Sequence, residues 1–201
     1  MSVPRQVDHA QRREELSRAV WEVVGAHGLD GLTLRTVAAA AQCTTGRVAH
    51  YFENKNALLI HARDVMHRRM AARIDELPEH DDPRRHLRSV LLEGLPLDED
   101  RRLGSTVWAY FLLAARTDPE LRRQHDVRHQ SWLTRLTGLL RQAYQSDGGL
   151  VPRDLERRVR ALVAVVDGLS LSAVATPEMY PPDLIVAVLD THLSLLWMGI
   201  E

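Results

Sequence analysis

Residues 33–52, TLRTVAAAAQCTTGRVAHYF, decide how this chain is read. Thr33 can accept a hydrogen bond at the start of a short helix, LRTVAAAA, and Thr44 can do the same for a second, TGRVAHYF. Between them Gln42-Cys43 breaks the pattern. Val37 points inward from the first helix beside the small Ala38, and Val48 points back onto that pair from the second. Two short helices crossing closely over a few small apolar contacts have helix-turn-helix grammar. The free face of the second helix would then carry Thr44, Thr45, Arg47 and Tyr51, the residue types that base edges and phosphates require. A generic helical hairpin has the same spacing, so spacing alone leaves both readings open.

Working outward, almost every other segment reads as helix, and the expected fold is all-α. Leu16, Val20, Val23, Val24 and His27 recur at three- and four-residue steps, giving an amphipathic helix from about residue 8 to 26 that Gly28 and Gly31 end. Asn54 can cap a helix from Lys55 to about residue 76. Further helices are expected near 83–94, 99–117, 119–146, 152–175 and 182–198, divided by GLPLDED, TDP, SDGGLVP and TPEMYPP. The expected architecture is a small N-terminal helical unit of three or four helices joined to a larger five-helix body.

Composition narrows the function. Residues 1–73 hold 11 basic against 7 acidic side chains, and residues 74–201 hold 15 against 20. A basic third on an acidic body suggests that only the N-terminal part meets a polyanion. Of the 26 basic residues 25 are Arg, which a GC-rich genome explains without function; Lys55 is the sole lysine. No apolar run reaches 18 residues and the N-terminus lacks an apolar stretch, so neither a membrane span nor a secretory signal is expected. With Cys43 as the one cysteine, no disulfide can close within the chain, and a cytoplasmic protein fits best.

GLDGLTLRTVAAAAQCTTGRVAHYFENKNALL resembles the DNA-binding signature of the TetR family: a Gly, a Thr-capped helix with an Ala pair, a short turn, a helix ending in Tyr-Phe, then a Lys and Ala-Leu-Leu. The likeness covers roughly residues 8–60. It implies DNA-facing positions at Arg35, Thr45, Arg47, Tyr51 and Lys55, with Thr33 and Thr44 at helix N-termini and Lys55 holding phosphate. There are departures. The family's turn usually holds Gly and then Val, where this chain has Gln42 and Cys43; a left-handed Gln42 would cost about 1 kcal/mol relative to Gly. The usual Tyr two residues before Tyr51 is Ala49, which gives His50 and Tyr51 more of the contact.

VWAYFLLAARTDPEL, QSWLTRLTGLL and VVDGLSLSAV are similar to the C-terminal domain of the choline-responsive, betaine-pathway repressors within this family. Together the two likenesses imply an N-terminal helix-turn-helix DNA-binding unit, residues 1–60, and a five-to-six-helix regulatory, ligand-binding and dimerisation domain, residues 61–201, with a small-molecule effector and a homodimer made by the last two helices. Leu162, Val166, Leu169, Val188, Leu189 and Leu195 are the expected seam residues, because the two helices carry more apolar surface than one buried stripe needs; a buried core helix explains the same pattern. Met70, Trp108, Phe111 and Trp132 are the expected effector pocket, aromatic enough for a quaternary ammonium, although aromatics in a helical core are the plainer account.

Catalytic motifs are missing: no glycine-rich phosphate loop, CxxC pair, HExxH or GxSxG occurs, so no enzyme activity and no cofactor are expected. His125 and His129 have metal-ligand spacing beside Asp126, but Arg122, Arg123 and Arg128 make that face cationic and no metal is expected. His61 and His67 read as surface residues, and Cys43 as a small buried one. A ligand-responsive repressor covering a palindromic double-stranded DNA operator is the reading. A helical enzyme and a DNA-binding protein without an effector are its rivals.

Overall fold

The computed structural model describes residues 5–78, 80–146 and 148–198, with side chains from Arg12 onward. Helices α1 (Arg5–His27), α2 (Leu34–Ala40), α3 (Thr45–Tyr51), α4 (Lys55–Asp75), α5 (Pro83–Glu93), α6 (Glu99–Ala115), α7 (Pro119–Gln145), α8 (Leu155–Ala175) and α9 (Pro182–Met198) follow one another, and no strand occurs among the described residues. The boundaries agree with the sequence reading to within a residue or so except at three ends, the first being α1, which starts at Arg5 rather than about residue 8. α8 starts at Leu155 rather than 152, because Leu155 N–H closes a turn on Pro152 O and Arg157 and Arg158 hold the Asp154 carboxylate. α6 stops at Ala115, where Arg116 and Thr117 bond back three residues and tighten the chain toward Asp118.

The chain folds as two compact units. The first joins residues 1–69 with residues 106–124, and the second joins 70–105 with 125–201. The core of the first contains Leu16, Val20, Trp21 and Val24 of α1, Val37 and Ala38 of α2, Val48 of α3, and Leu58, Leu59, Ala62 and Val65 of α4. Trp21 is fixed there by its indole N–H, which donates to Ala62 O at 3.1 Å. Val107, Phe111, Ala115 and Leu121 are buried in the same unit.

In the second unit Leu87 and Leu91 of α5, Leu136 and Leu140 of α7, Leu162, Val166 and Leu169 of α8, and Ile185, Leu189 and Leu193 of α9 form one cluster. Tyr144 closes its end, its hydroxyl accepting from Arg158 Nη1 at 3.1 Å and its ring meeting Trp197 edge-on. Leu162, Val166, Leu169 and Leu189, expected at the seam, are buried in the chain's own core. The surplus lies one helix face away: Leu171 of α8, and Leu184, Val188, Leu195 and Met198 of α9, remain 38–70% exposed. Of the expected seam residues only Val188 and Leu195 stand on that outer row.

Candidate nucleic-acid interface

Three short-range devices build the helix-turn-helix. Thr33 and Thr36 cap α2 reciprocally: Thr36 N–H donates to Thr33 Oγ1 at 3.1 Å, and Thr33 N–H donates to Thr36 Oγ1 at 2.9 Å. A threonine thus does the work usually given to Glu or Gln in a capping box. Thr44 Oγ1 accepts from Arg47 N–H at 3.2 Å and starts α3. Between the helices Gln42 adopts φ +51°, while Cys43 N–H bonds Ala38 O at 2.9 Å and Gln42 N–H bonds Ala39 O at 3.1 Å. That pair of bonds is the Schellman closure, whose left-handed position is normally Gly. Val37, Ala38 and Val48, all buried, hold α2 and α3 together as their spacing predicts.

With that core closed, the opposite face is polar and open. Arg35, Thr45 and Arg47 are exposed, and the two guanidiniums have no partner among the described residues. His50 is exposed and its ring meets the half-buried Tyr51 edge-on at 5.2 Å. Thr33 and Thr44 are exposed but spend their hydroxyls on helix ends. Asn54 Oδ1 caps α4 through Ala57 N–H at 2.9 Å, as expected. Lys55, at the first position of α4, donates from Nζ to Leu29 O in the α1–α2 loop. An ammonium has three donors, so two remain for phosphate. No acid lies in the first turn of α2, α3 or α4 to oppose an incoming polyanion.

Several side chains depart from the sequence reading. His61 is not a surface residue: it is half-buried against the Phe52 ring at 5.3 Å, and its Nε2 has no hydrogen-bond partner among the described residues. Burial, aided by the Arg13 and Arg68 charges, holds its imidazole down to about 4. His67 is likewise half-buried, and Cys43 is partly exposed rather than buried. Such placements elude periodicity because they lie at the edge of a helix's apolar stripe, where one residue's rotation decides burial. His125 and His129 stack ring on ring, 5.4 Å apart.

The expected pocket residues divide between the two units. Trp108 is half-buried in the first; Phe111 is fully buried there, with the Arg63 guanidinium 4.2 Å above its ring. Met70 and Trp132 are half-buried in the second, where Trp132 borders Gly94. Sequence reasoning missed Asp167 in that same unit. Burial pushes its carboxyl up to about 6, against the opposing pull of His129. It also missed Asn56 and Asp118, whose side chains hydrogen-bond at 2.5 Å; the Asp-Pro pair at 118–119 was a signal for a helix cap but gave no hint of a distant partner.

Comparison with known proteins agrees with this geometry. The family "Bacterial regulatory proteins, tetR family" matches residues 17–62, and "BetI-type transcriptional repressor, C-terminal" matches residues 83–197. The HTH-type transcriptional regulator PksA of Bacillus subtilis (strain 168) is 28% identical over 195 residues, which cover 96% of this chain and 93% of PksA. The regulator BetI of Stenotrophomonas maltophilia (strain R551-3) is 28% identical over 171 residues, 84% of each chain. The crystal structure of a transcriptional regulator from Rhodococcus sp. Rha1 superposes with a TM-score of 0.83 at 31% identity, covering 93% of this chain and 96% of that one. Helix-turn-helix, unpaired arginines and relatives converge: the chain belongs to the TetR family and is a DNA-binding transcriptional regulator, not an enzyme, with a BetI-type C-terminal part.

Proposed function

We propose that this regulator is a cytoplasmic repressor that covers a palindromic operator as a homodimer and releases it when a small molecule binds the C-terminal body. Residues 1–60 act as the DNA-binding domain and residues 61–201 as the ligand-binding and dimerisation domain. The open polar face of α3 carries the reading. Two guanidiniums without partners among the described residues, on helices whose other sides are buried, supply the fork geometry that guanine and phosphate accept. Thr45, His50 and Tyr51 flank Arg47 on α3, and Lys55 supplies phosphate contact from α4.

A dimer follows from the outer row of α8 and α9, whose five large apolar side chains need cover. Two-fold symmetry in the protein then demands two-fold symmetry in the operator. Within the second unit Met70, Trp132 and Asp167 have the chemistry to recognise an effector: a thioether, an indole and a carboxyl without a hydrogen-bond partner among the described residues.

Enrichment of duplexes from a randomised library by the purified protein tests the function. Enrichment of two inverted half-sites, bound by twice the chain mass in light scattering, is expected. Enrichment of no duplex would overturn the reading.

A further inference from the structure

A ring of contacts within the first unit ties the segment 106–124 to the DNA-facing helices. Asp118 sits at the α6–α7 corner and uses both carboxylate oxygens. Its Oδ1 accepts from the N–H groups of Glu120 and Leu121, at 2.9 and 3.1 Å, and so caps α7. Its Oδ2 accepts from Asn56 Nδ2 at 2.5 Å, a bond across 62 residues of sequence that is partly shielded from water. Asn56 follows Lys55 at the start of α4. Lys55 in turn donates to Leu29 O. Next to Leu29 is Gly28, at φ +63°, where a Cβ would stand 3.0 Å from the Tyr110 hydroxyl of α6. The segment 106–124 therefore reaches both ends of the Lys55–Leu29 tie, with Tyr110 beside Gly28 in the α1–α2 loop and Asp118 bonded to Asn56 at the start of α4.

We propose that Asn56 and Asp118 are positioning residues for DNA binding: their hydrogen bond fixes the start of α4 and so sets where the Lys55 ammonium meets phosphate. The proposal rests on the reading of α3 and α4 as the DNA-facing surface. Charge assistance makes the bond short and directional. Lys55 has a flexible four-carbon stem; anchoring its backbone at Asn56 and its head at Leu29 leaves a narrow range of positions for the two remaining donors. The assignment differs from a mere packing role, because Asp118 would still cap α7 with one oxygen if the bond to Asn56 were lost.

A swap of the two side chains tests it. Asn56→Asp places two carboxylates face to face. Asp118→Asn keeps a good helix cap, and a flip of the Asn56 amide lets its Oδ1 accept from the new amide at position 118, so this variant removes the charge but not the bond. In the double variant the bond reforms with its direction reversed. Affinity for the duplex that the wild type enriches, its dependence on salt, and amide exchange in the free protein are the readouts. Asp118→Asn is expected to stay within about threefold of wild type, and Asn56→Asp to bind about tenfold more weakly, which is about 1.4 kcal/mol. The Asn56→Asp plot of log affinity against log salt should flatten by about one per subunit, as loss of one phosphate contact requires. Amide exchange should quicken at residues 29–33 and 55–59. The double variant should return to within about threefold of wild type. A wild type that enriches no duplex counts against the DNA-binding reading itself and is seen before any variant is compared. The positioning role is overturned when wild type binds and Asn56→Asp binds equally well, or when the double variant recovers nothing.

Discussion

Arg88 and Asp190, 102 residues apart, join α5 to α9 by two parallel hydrogen bonds, Nε to Oδ1 at 2.5 Å and Nη2 to Oδ2 at 2.8 Å. The hydrogen bond from Arg88, outweighing the effect of burial, holds the Asp190 carboxyl below its ordinary range. Both side chains are about two-fifths exposed, at 40% and 41%, so water screens much of the attraction and the pair should stabilise the fold by about 0.5–1 kcal/mol. Because the folded carboxyl is the stronger acid, this contribution is complete above its unfolded value of about 4 and is lost as pH falls through the folded value. Asp190→Asn should lower the denaturation midpoint at pH 7 and leave it nearly unchanged at pH 2–3. An equal loss at both pH values would show that the charge is irrelevant.

The turn between α2 and α3 is strained by its side chain. Gln42 occupies the left-handed position, which costs an L-residue about 1–2 kcal/mol, part of which Gly's greater freedom in the unfolded chain offsets. Gln42→Gly should raise stability by about 0.5–1 kcal/mol with DNA affinity kept, whereas the β-branched Gln42→Val should lower it. Thermal melting of the three proteins decides the matter. A lower melting temperature for Gln42→Gly would contradict the account.

The two apolar faces of α8 and α9 should answer differently to mutation. Leu162 is fully buried, and Leu162→Ala should cost about 2–5 kcal/mol through lost burial and the cavity left behind. Leu195 is 60% exposed in the isolated chain, so Leu195→Glu should leave the monomer folded and abolish the dimer. Circular dichroism and light scattering on the same samples separate the effects. A Leu195→Glu protein that stays dimeric would move the interface elsewhere.

Reading and holding DNA are separable as well. Arg47→Ala should cost about 1–3 kcal/mol on the selected duplex and relax preference at one base pair per half-site, with a smaller effect on random DNA. Lys55→Ala should weaken selected and random duplexes alike and reduce the salt slope by about one per subunit. Equal losses on both DNAs for Arg47→Ala would make Arg47 a phosphate contact and displace α3 from the groove.

How much of this was legible beforehand depended on the range of the interaction. Caps at Thr33, Thr44 and Asn54 and the inward Val37 and Val48 are settled within a few residues of chain, and each was readable from residue type and spacing; a left-handed Gln42 came into view only through the likeness to a turn that usually holds Gly. The side choice on α8 and α9 was not. Both helices are apolar on more than one face, so Leu162 and Leu195 look alike until the neighbours that bury one of them are in place. Long-range polar pairs such as Asn56–Asp118 leave no periodic trace, since one ordinary Asn and one ordinary cap residue suffice.

The backbone passes between the two compact units at three places, 69–70, 105–106 and 124–125. A genetic crossover at 69–70 or 105–106 would give a daughter protein whose DNA-facing helices inherit residues 106–124 from the wrong parent, whereas one at 124–125 keeps the two together. Exchange of operator preference between relatives by recombination therefore has to carry two separated stretches of the gene together. Point substitution on the exposed residues of α3 is the simpler route by which such a lineage acquires a new operator.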